Sequence, residues 1–586
     1  MGVAGLFKWL INRLEKDKFM FAKNSDHRLS IEDKTVNNID CLMIDTNCLL
    51  HPMCFEVLAN VEDDISDSEL EKKMLKRIIE YIQSLIDHTE PNKLVYIAID
   101  GVAPVAKIKQ QRTRRFKSVK DKKTFDSIKR KHGKSISKYW NNSAITPGTV
   151  FMEKITKKIK DSIVNKKIKV AEGVKIIFSS ANTPSEGEHK LVQYIRNTKE
   201  DYNYVIYGLD ADLIFLALAT NKPNIYLLRE AQICGETKYD DFMFVSMDRM
   251  KKEIINYMKE HLLEEVYEYE TEDNNLINDF IFISYLLGND FLPHIPSLDI
   301  QVFDRRLDNG MDLVMGMYCE VMNLLQEPIL KLSRNNGELE IKFNQEFIKT
   351  LFDRLGCRED EYFYSYNSNK GKKKRYIRCY SSDPYDIEMF RLDNLLFKHN
   401  DPVRYGDGVP EEWRYRYYNY YCNLDEEQTS YIQNMTNAYC EGLVWVAYYY
   451  FDKCPSWEWY YKYPCAPFMS DLAKNVNEFD FNGAYEKFVV GKSLRPMEQL
   501  MCVLPSKSSY LLPDKLAYLM KSYKSPLIHL YPVNYELDMV SKHRYWQCEP
   551  ILPELDIKLV QYVVSKRDLT KDECERNKIC KPYVYN

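Results

Sequence analysis

The sequence predicts a doubly wound α/β domain on a mostly parallel sheet, with a second, mainly helical and aromatic-rich lobe packed against it. Three observations predict this. Short apolar, β-branched runs at 41–44, 94–99, 174–178, 204–207 and 225–228 read as strands buried on both faces. Helical periods separate those runs, and strand–helix alternation is the pattern of an open parallel sheet covered by helices. The chain has 586 residues, whereas single cores stop growing near ~250–300 residues, so more than one unit is expected.

After the fifth strand, a helix over 278–287 ends at Gly288-Asn289-Asp290, with glycine following the last turn. The pattern weakens from 356 to 402, where Asn367-Ser368-Asn369-Lys370-Gly371-Lys372-Lys373-Lys374-Arg375 is polar and basic. The chain is therefore divided into an N-terminal domain at 1–355, a linker at 356–402 and a second lobe at 403–586. Many of the 44 tyrosines crowd into that lobe between Tyr405 and Tyr463. The last stretch, 564–586, is charged and expected to fray.

Composition excludes several classes. With 82 Lys and Arg against 86 Asp and Glu the net charge is −4, which rules out a globally basic coat for nucleic acid. Any polyanion contact must come from local segregation. Met1-Gly2-Val3-Ala4-Gly5-Leu6 carries neither a secretion nor a myristoylation signal. The longest apolar run, 442–451, is half of the roughly 20 residues a membrane helix needs. Fifteen cysteines without a Cys-x-x-Cys pair suit reduced thiols in an intracellular, soluble protein.

Ligands of open α/β sheets sit outside the carboxyl ends of the strands, and acids stand at those places here. Asp45 and Asp100 follow the first two runs, Glu186 and Glu188 follow the third, Asp210 and Asp212 follow the fourth, and Asp290 comes from a helix end. One such acid is usually a cap or a turn former. Recurrence at five strand-end or helix-end positions is not. Seven converging carboxylates repel one another unless cations compensate. All-oxygen ligands favour Mg²⁺, with Mn²⁺ as the alternative, and two such ions serve phosphodiester cleavage.

The segregated charge lies close by. Between Val105 and Lys138 there are fourteen Lys or Arg and two Asp. Lys107, Gln111, Arg114 and Arg115 fall largely on one side of a helix starting near Val105, a face suited to one phosphate. The later lysines, over 120–138 and 154–175, read as a solvated segment or a diffuse track for a polyanion backbone.

These motifs have a familiar order. Ile44-Asp45-Thr46-Asn47 with His51, Asp100-Gly101-Val102-Ala103-Pro104, Gln110-Gln111-Arg112-Thr113-Arg114-Arg115-Phe116, Ile145-Thr146-Pro147-Gly148-Thr149 and Glu186-Gly187-Glu188-His189-Lys190 come first. Gly208-Leu209-Asp210-Ala211-Asp212 and Gly288-Asn289-Asp290-Phe291-Leu292-Pro293-His294 follow. Ser456-Trp457-Glu458-Trp459-Tyr460-Tyr461, Ala466-Pro467-Phe468, Gln499-Leu500-Met501 and Val503-Leu504-Pro505 complete the set. Nearly end to end, the chain resembles the 5′→3′ exoribonuclease family of Xrn and Rat nucleases, in a compact form without the large C-terminal modules.

The resemblance implies a PIN/flap-nuclease-like catalytic domain in which the seven acids hold metal. It implies a 5′-monophosphate pocket of Lys107, Gln111, Arg114 and Arg115, and a base stacked between His51 and either Trp457 or Trp459; the aromatic content of the lobe at 403–586 suggests that it walls the active-site channel and stacks bases. The sequence departs from the family at Val3-Ala4 and at Val105, and the Cys-rich knuckle of some nuclear members is absent around Cys234. The expected protein is a monomeric, cytoplasmic enzyme degrading single-stranded RNA with a 5′-monophosphate, with a decapping enzyme as functional partner; a nuclear location stays open. A flap-type endonuclease and an inactive RNA-binding scaffold are the competing readings. The first lacks its Gly-rich hairpin after Asp290, and the second should have lost acids that are all present.

Overall fold

The computed structural model describes residues 5–21, 29–31, 34–36, 38–62, 64–136, 140–208, 210–233, 236–263, 266, 273–299, 309–374, 378–395, 401–425 and 429–586. Of the residues named in the sequence motifs and charge runs, 1–4, Lys138, Leu209, Cys234 and Arg375 lie outside the described residues.

Eight strands form the central sheet, numbered along the chain: β1 Met20–Phe21, β2 Cys41–Asp45, β3 Leu94–Ala98, β4 Lys175–Ser179, β5 Tyr204–Tyr207, β6 Ile225–Ile233, β7 Glu236–Ser246 and β8 Tyr583–Tyr585. Their order is β1-β7-β6-β5-β2-β3-β4-β8. The five strands expected from sequence are the parallel centre, with Met43 opposite both Tyr96 and Ile206. From β2 the chain runs outward through β3 and β4, then returns to β5 and β6 on the other side. That reversal opens a crevice at the carboxyl end of β2.

Both faces of the sheet are covered, as the continuous apolar runs require. Cys41 and Met43 of β2 join one core, while Leu42 and Ile44 join the other, following the two-residue period of a strand. The first core continues without a break through α5 (Asp273–Ser284) and α6 (Gln345–Lys374) into α7 (Thr429–Phe451). The helices α1 (Asn47–Ala59), α2 (Val105–Lys131), α3 (Gly187–Asn197) and α4 (Asp212–Leu218) precede these three and carry site residues.

Four expectations change. Residues 356–374, expected to open a linker, continue α6, and Pro384–Asp393 is also helical. Leu351, Phe352, Leu355 and Phe363 are buried there, so apolar residues on one face hold the helix in the core despite its polar end. The lysines of 120–131 belong to the ordered α2 rather than a solvated tail: Lys122 pairs with Asp126 at 3.3 Å and Lys131 with Glu388 at 2.8 Å. The aromatic stretch is core, with Trp413, Trp445, Tyr439, Tyr449 and Tyr450 fully buried. Finally, the C-terminal segment does not fray. β8 pairs antiparallel with β4, and Asn182 Nδ2 donates to the carbonyls of Arg576 at 3.1 Å and Lys578 at 2.7 Å.

The basic helix α2 joins the two halves. Lys109 Nζ donates to the carbonyls of Tyr461 at 3.2 Å and Tyr463 at 3.3 Å. Arg112 is 2% exposed; its guanidinium donates to the carbonyls of Cys502, at 2.9 Å, and Leu530, and stacks over Phe116. Arg112→Ala strands both carbonyls and should cost about 2–4 kcal/mol. A chemical denaturation series checks this; an unchanged midpoint would show that the clamp is dispensable.

Candidate active site

The crevice at the carboxyl end of β2 gathers the acids. Asp45 is the last residue of β2, and its Oδ1 accepts from the Asn47 N–H at 3.3 Å while Oδ2 accepts from Cys48 Sγ at 3.0 Å. Asp100, just past β3, accepts from the Gly187 N–H at 2.6 Å and from Asn47 Nδ2 at 2.7 Å. Glycine at 187 is a steric requirement, because a Cβ there would lie 2.7 Å from Asp45 Oδ1. Glu186 and Glu188 open α3, and Asp212 opens α4. Asp290 follows α5 and a 3₁₀ turn, Tyr285–Leu287, that stops at Gly288, whose φ of 93° is left-handed. A Cβ at 288 would also come within 2.6 Å of His294 Cβ.

The structure brings all seven acids into one electrostatic cluster. Burial, then Asp100 and Asp210, push the Asp45 carboxyl up to about 8. Burial, then Asp290 and Asp210, push Asp212 up to about 7. Glu188 is raised well above its usual range by burial and by Asp210, Glu186 and Asp212, and Asp100 is raised by burial and Glu186. Asp290 goes the other way: burial opposes its anion, but the Lys107 ammonium beside it holds the carboxyl below the ordinary range.

Two buried ammonium groups offset part of this charge. Lys107 Nζ lies 2.8 Å from Glu186 Oε1 and 2.5 Å from Asp290 Oδ2. Lys190 Nζ donates to the carbonyls of Ile99 at 2.6 Å and Ser180 at 3.2 Å, and burial pushes it down to about 7 against the pull of Asp100 and Asp45. Two ammonium groups do not match seven carboxylates, and the mutual repulsion adds to burial in raising the acids. Asp212 Oδ1 is buried without a hydrogen-bond partner among the described residues. Ligand atoms of Glu186, Glu188 and His189 all lie within 4.8 Å of one another. An oxygen-rich, undercompensated site with an orphaned carboxylate oxygen suits hard divalent cations.

Beside the acids is a cationic corner. Arg114 is exposed, and Arg115 Nη2 donates to Thr146 Oγ1 at 2.6 Å. Burial, then the neighbouring Arg114, push Arg115 down to about 10. His51 on α1 is pushed down to about 4 by burial and by Arg115 and Arg114, which places the ring within electrostatic reach of both guanidiniums and keeps it neutral. Gln111 Oε1 accepts from Gln499 Nε2 at 3.1 Å, and Gln499 Oε1 accepts from the Ala103 N–H at 3.2 Å. Lys107 thus belongs to the acids, whereas Arg114, Arg115 and His51 share the corner.

The two tryptophans differ. Trp459 stacks on Trp445 at 5.3 Å and meets Phe488 edge-on, so it is committed to the core. Trp457 is half-buried and makes no ring–ring contact among the described residues, and its carbonyl accepts from the Val105 N–H at 3.0 Å at the start of α2. Sequence reasoning missed the supporting residues. Lys190 had a local signal, standing one turn beyond Glu186 on the same helix. Gln499 stood in the Gln499-Leu500-Met501 motif without an assigned role, and Tyr449, whose hydroxyl donates to Glu186 Oε2 at 2.7 Å, had no signal; hundreds of residues separate both from their partners.

Comparisons with known proteins identify the family. Residues 1–231 match the family described as "XRN 5'-3' exonuclease N-terminus", and residues 270–386 and 393–585 match the "Xrn1 helical domain". The chain is 28% identical to "5'-3' exoribonuclease 2" of Candida albicans, over 98% of this chain and 74% of the relative. It is 28% identical to "5'-3' exoribonuclease 1" of Schizosaccharomyces pombe, over 100% of this chain and 50% of the relative. Against "5'-3' exoribonuclease 1" of Homo sapiens it is 29% identical, over 98% of this chain but 35% of the relative. Among the described residues no helix is long and apolar enough to cross a membrane. With family matches across both halves, the chain belongs to the Xrn family of 5′→3′ exoribonucleases.

Proposed function

We propose that this chain is a processive exonuclease that degrades single-stranded RNA carrying a 5′-monophosphate and releases nucleoside 5′-monophosphates. The observation that carries the reading is the adjacency of the buried acid cluster to the Arg114, Arg115 and His51 corner, with Lys107 and Gln111 on the same helix. Asp45, Asp100, Glu186, Glu188, Asp210, Asp212 and Asp290 would hold two Mg²⁺ ions, or Mn²⁺ in their place. Bound there, the ions would supply the Lewis acidity for in-line phosphodiester hydrolysis.

The chain's own residues define which end is cut. Arg114 and Arg115 would offer N–H donors to a terminal phosphate, which guanidinium groups can hold in a bidentate way. His51 and Trp457 would stack on the first base, a contact worth about 1–3 kcal/mol. Each cleavage exposes a new 5′-phosphate, so the product is the next substrate and processivity follows. A cap or triphosphate would add bulk and charge beyond the single phosphate that these side chains suit. The second lobe, 403–586, contributes Trp457 and Gln499 to the channel wall. We assign the enzyme to the cytoplasm as a monomer, supplied with substrate by a decapping reaction.

The flap-endonuclease reading is disfavoured by the segment after Asp290. Phe291 and Leu292 are buried, and Asn289 Oδ1 accepts from both of their N–H groups at 2.9 Å, so no duplex-binding hairpin occupies that place.

The test is a time course on 3′-labelled RNA bearing either a 5′-monophosphate or a 5′-hydroxyl, in Mg²⁺ or EDTA. Loss of the monophosphate substrate alone, only in Mg²⁺ and without a ladder, is expected. Internal cuts insensitive to the 5′ end would move the reading to an endonuclease. Arg114→Ala should reduce the preference for monophosphate over hydroxyl by about tenfold or more, the worth of a charge-assisted hydrogen bond. If the preference survives intact, the phosphate pocket lies elsewhere.

A further inference from the structure

The metal acids have a neighbour whose placement neither the sequence motifs nor the family matches account for. Tyr449 lies on α7 of the helical half and is 1% exposed. Its hydroxyl donates to Glu186 Oε2 at 2.7 Å, while Lys107 Nζ holds Glu186 Oε1 at 2.8 Å. Each oxygen of the carboxylate therefore has its own fixed donor. A phenol hydroxyl facing a carboxylate oxygen supplies the proton of that hydrogen bond, so Tyr449 is the donor and Glu186 the acceptor.

The ring itself cannot swing. Trp445 stacks on it at 4.8 Å and 19°, His189 lies against it at 3.9 Å, and Phe291 meets it edge-on at 5.0 Å. Trp459 continues the stack beyond Trp445, at 5.3 Å and 21°. A column of aromatic rings thus runs from the Ser456-Trp457-Glu458-Trp459 segment to the metal-facing side of α3. Two of its members flank a metal acid directly: His189 follows Glu188 in the chain, and Phe291 follows Asp290. A side chain packed against several rings and aimed at one oxygen of a ligand is the arrangement by which outer groups fix a metal ligand's orientation.

We infer that Tyr449 is a positioning residue of the metal centre, setting the orientation of the Glu186 carboxylate from the helical half of the protein. The inference rests on the reading of the acid cluster as a metal site. It assigns the aromatic column a task beyond packing, because the position of α7 then governs a ligand on α3. Tyr439 provides the contrast. It lies on the same helix, is equally buried, and donates its hydroxyl to the Pro293 carbonyl at 3.0 Å, away from the acids.

The experiment compares the wild type, Y449F, Y439F, E186Q and the double variant Y449F/E186Q. Manganese binding is followed by the electron paramagnetic resonance of free Mn²⁺, alongside melting curves and the Mg²⁺ dependence of turnover. Y449F is expected to weaken Mn²⁺ binding about tenfold, the usual size for an outer partner of a ligand. It should raise the Mg²⁺ needed for half-maximal turnover by the same factor and leave KM for RNA unchanged. Y439F should bind Mn²⁺ like the wild type, and Y449F should add nothing in the E186Q background, because the tyrosine acts through that carboxylate. Wild-type Mn²⁺ affinity in Y449F, an equal loss in Y439F, or full additivity with E186Q each overturns the inference. A wild-type protein that binds no Mn²⁺ overturns the metal reading itself, a separate outcome.

Discussion

Glu186→Ala and Asp210→Ala should each lower turnover at least about a thousandfold while RNA affinity stays within a few-fold. The size follows from the several kcal/mol a metal ion contributes to a transition state, at 1.36 kcal/mol per decade of rate. Binding survives because the residues that would grip the 5′ end, Arg114, Arg115, His51 and Trp457, are different side chains from the acids. Loss of Glu186 also frees Lys107 Nζ from one of its two carboxylates, leaving the 2.5 Å contact with Asp290. Single-turnover kinetics with filter binding on the same preparations separates the two effects. Near-normal turnover in either variant would refute the assignment of the acids.

Asp212→Asn should have opposite effects on activity and stability. Asp212 is 2% exposed, faces Asp290 and Asp210, and carries an oxygen with no hydrogen-bond partner among the described residues. Its negative charge is a liability in the metal-free fold, and asparagine removes the charge while keeping the shape. In EDTA the variant should melt on the order of 1 °C above the parent, the shift that about 1 kcal/mol produces in a chain of this length. In Mg²⁺ the order should reverse, because the parent gains metal-binding free energy that the variant has largely lost. Turnover should fall at least about a hundredfold. A variant that melts lower than the parent in EDTA would show that the acids are not held together against repulsion.

What could be read from the sequence divides along physical lines. The parallel strands were legible because a strand buried on both faces is apolar throughout, as Cys41–Asp45 and Leu94–Ala98 are. The acids were legible because chain topology alone places strand ends together. The basic run was half legible. Its charge pointed to a polyanion, but Lys109 and Arg112 spend their donors on carbonyls of Tyr461, Tyr463, Cys502 and Leu530, partners that no local pattern announces. Residues 356–374 misled because their polar end outweighed Phe363 and Tyr366, which, with Leu351, Phe352 and Leu355 just before them, hold the helix in the core. The tyrosines misled in the other direction: composition suggested stacking surfaces, yet Tyr417 and Tyr461 use their hydroxyls to satisfy the carbonyls of Ala466 and Cys465. The preference between Trp457 and Trp459 also required coordinates, since both stand in the same short motif and only ring contacts distinguish them.

The pairing of β8 with β4 imposes an order on biogenesis. Until Tyr583, Val584 and Tyr585 emerge from the ribosome, the outer edge of β4 has no strand beside it. At ~5–20 residues per second that interval is roughly 20 to 80 s. Throughout it, the nascent chain exposes Ile176, Ile177 and Phe178 on an open edge, the kind of surface that recruits stray strands. The nuclease half can therefore collapse early but cannot seal its sheet until translation has passed through the helical half. A holdase bound to that edge would be displaced by the arriving Tyr583–Tyr585 strand.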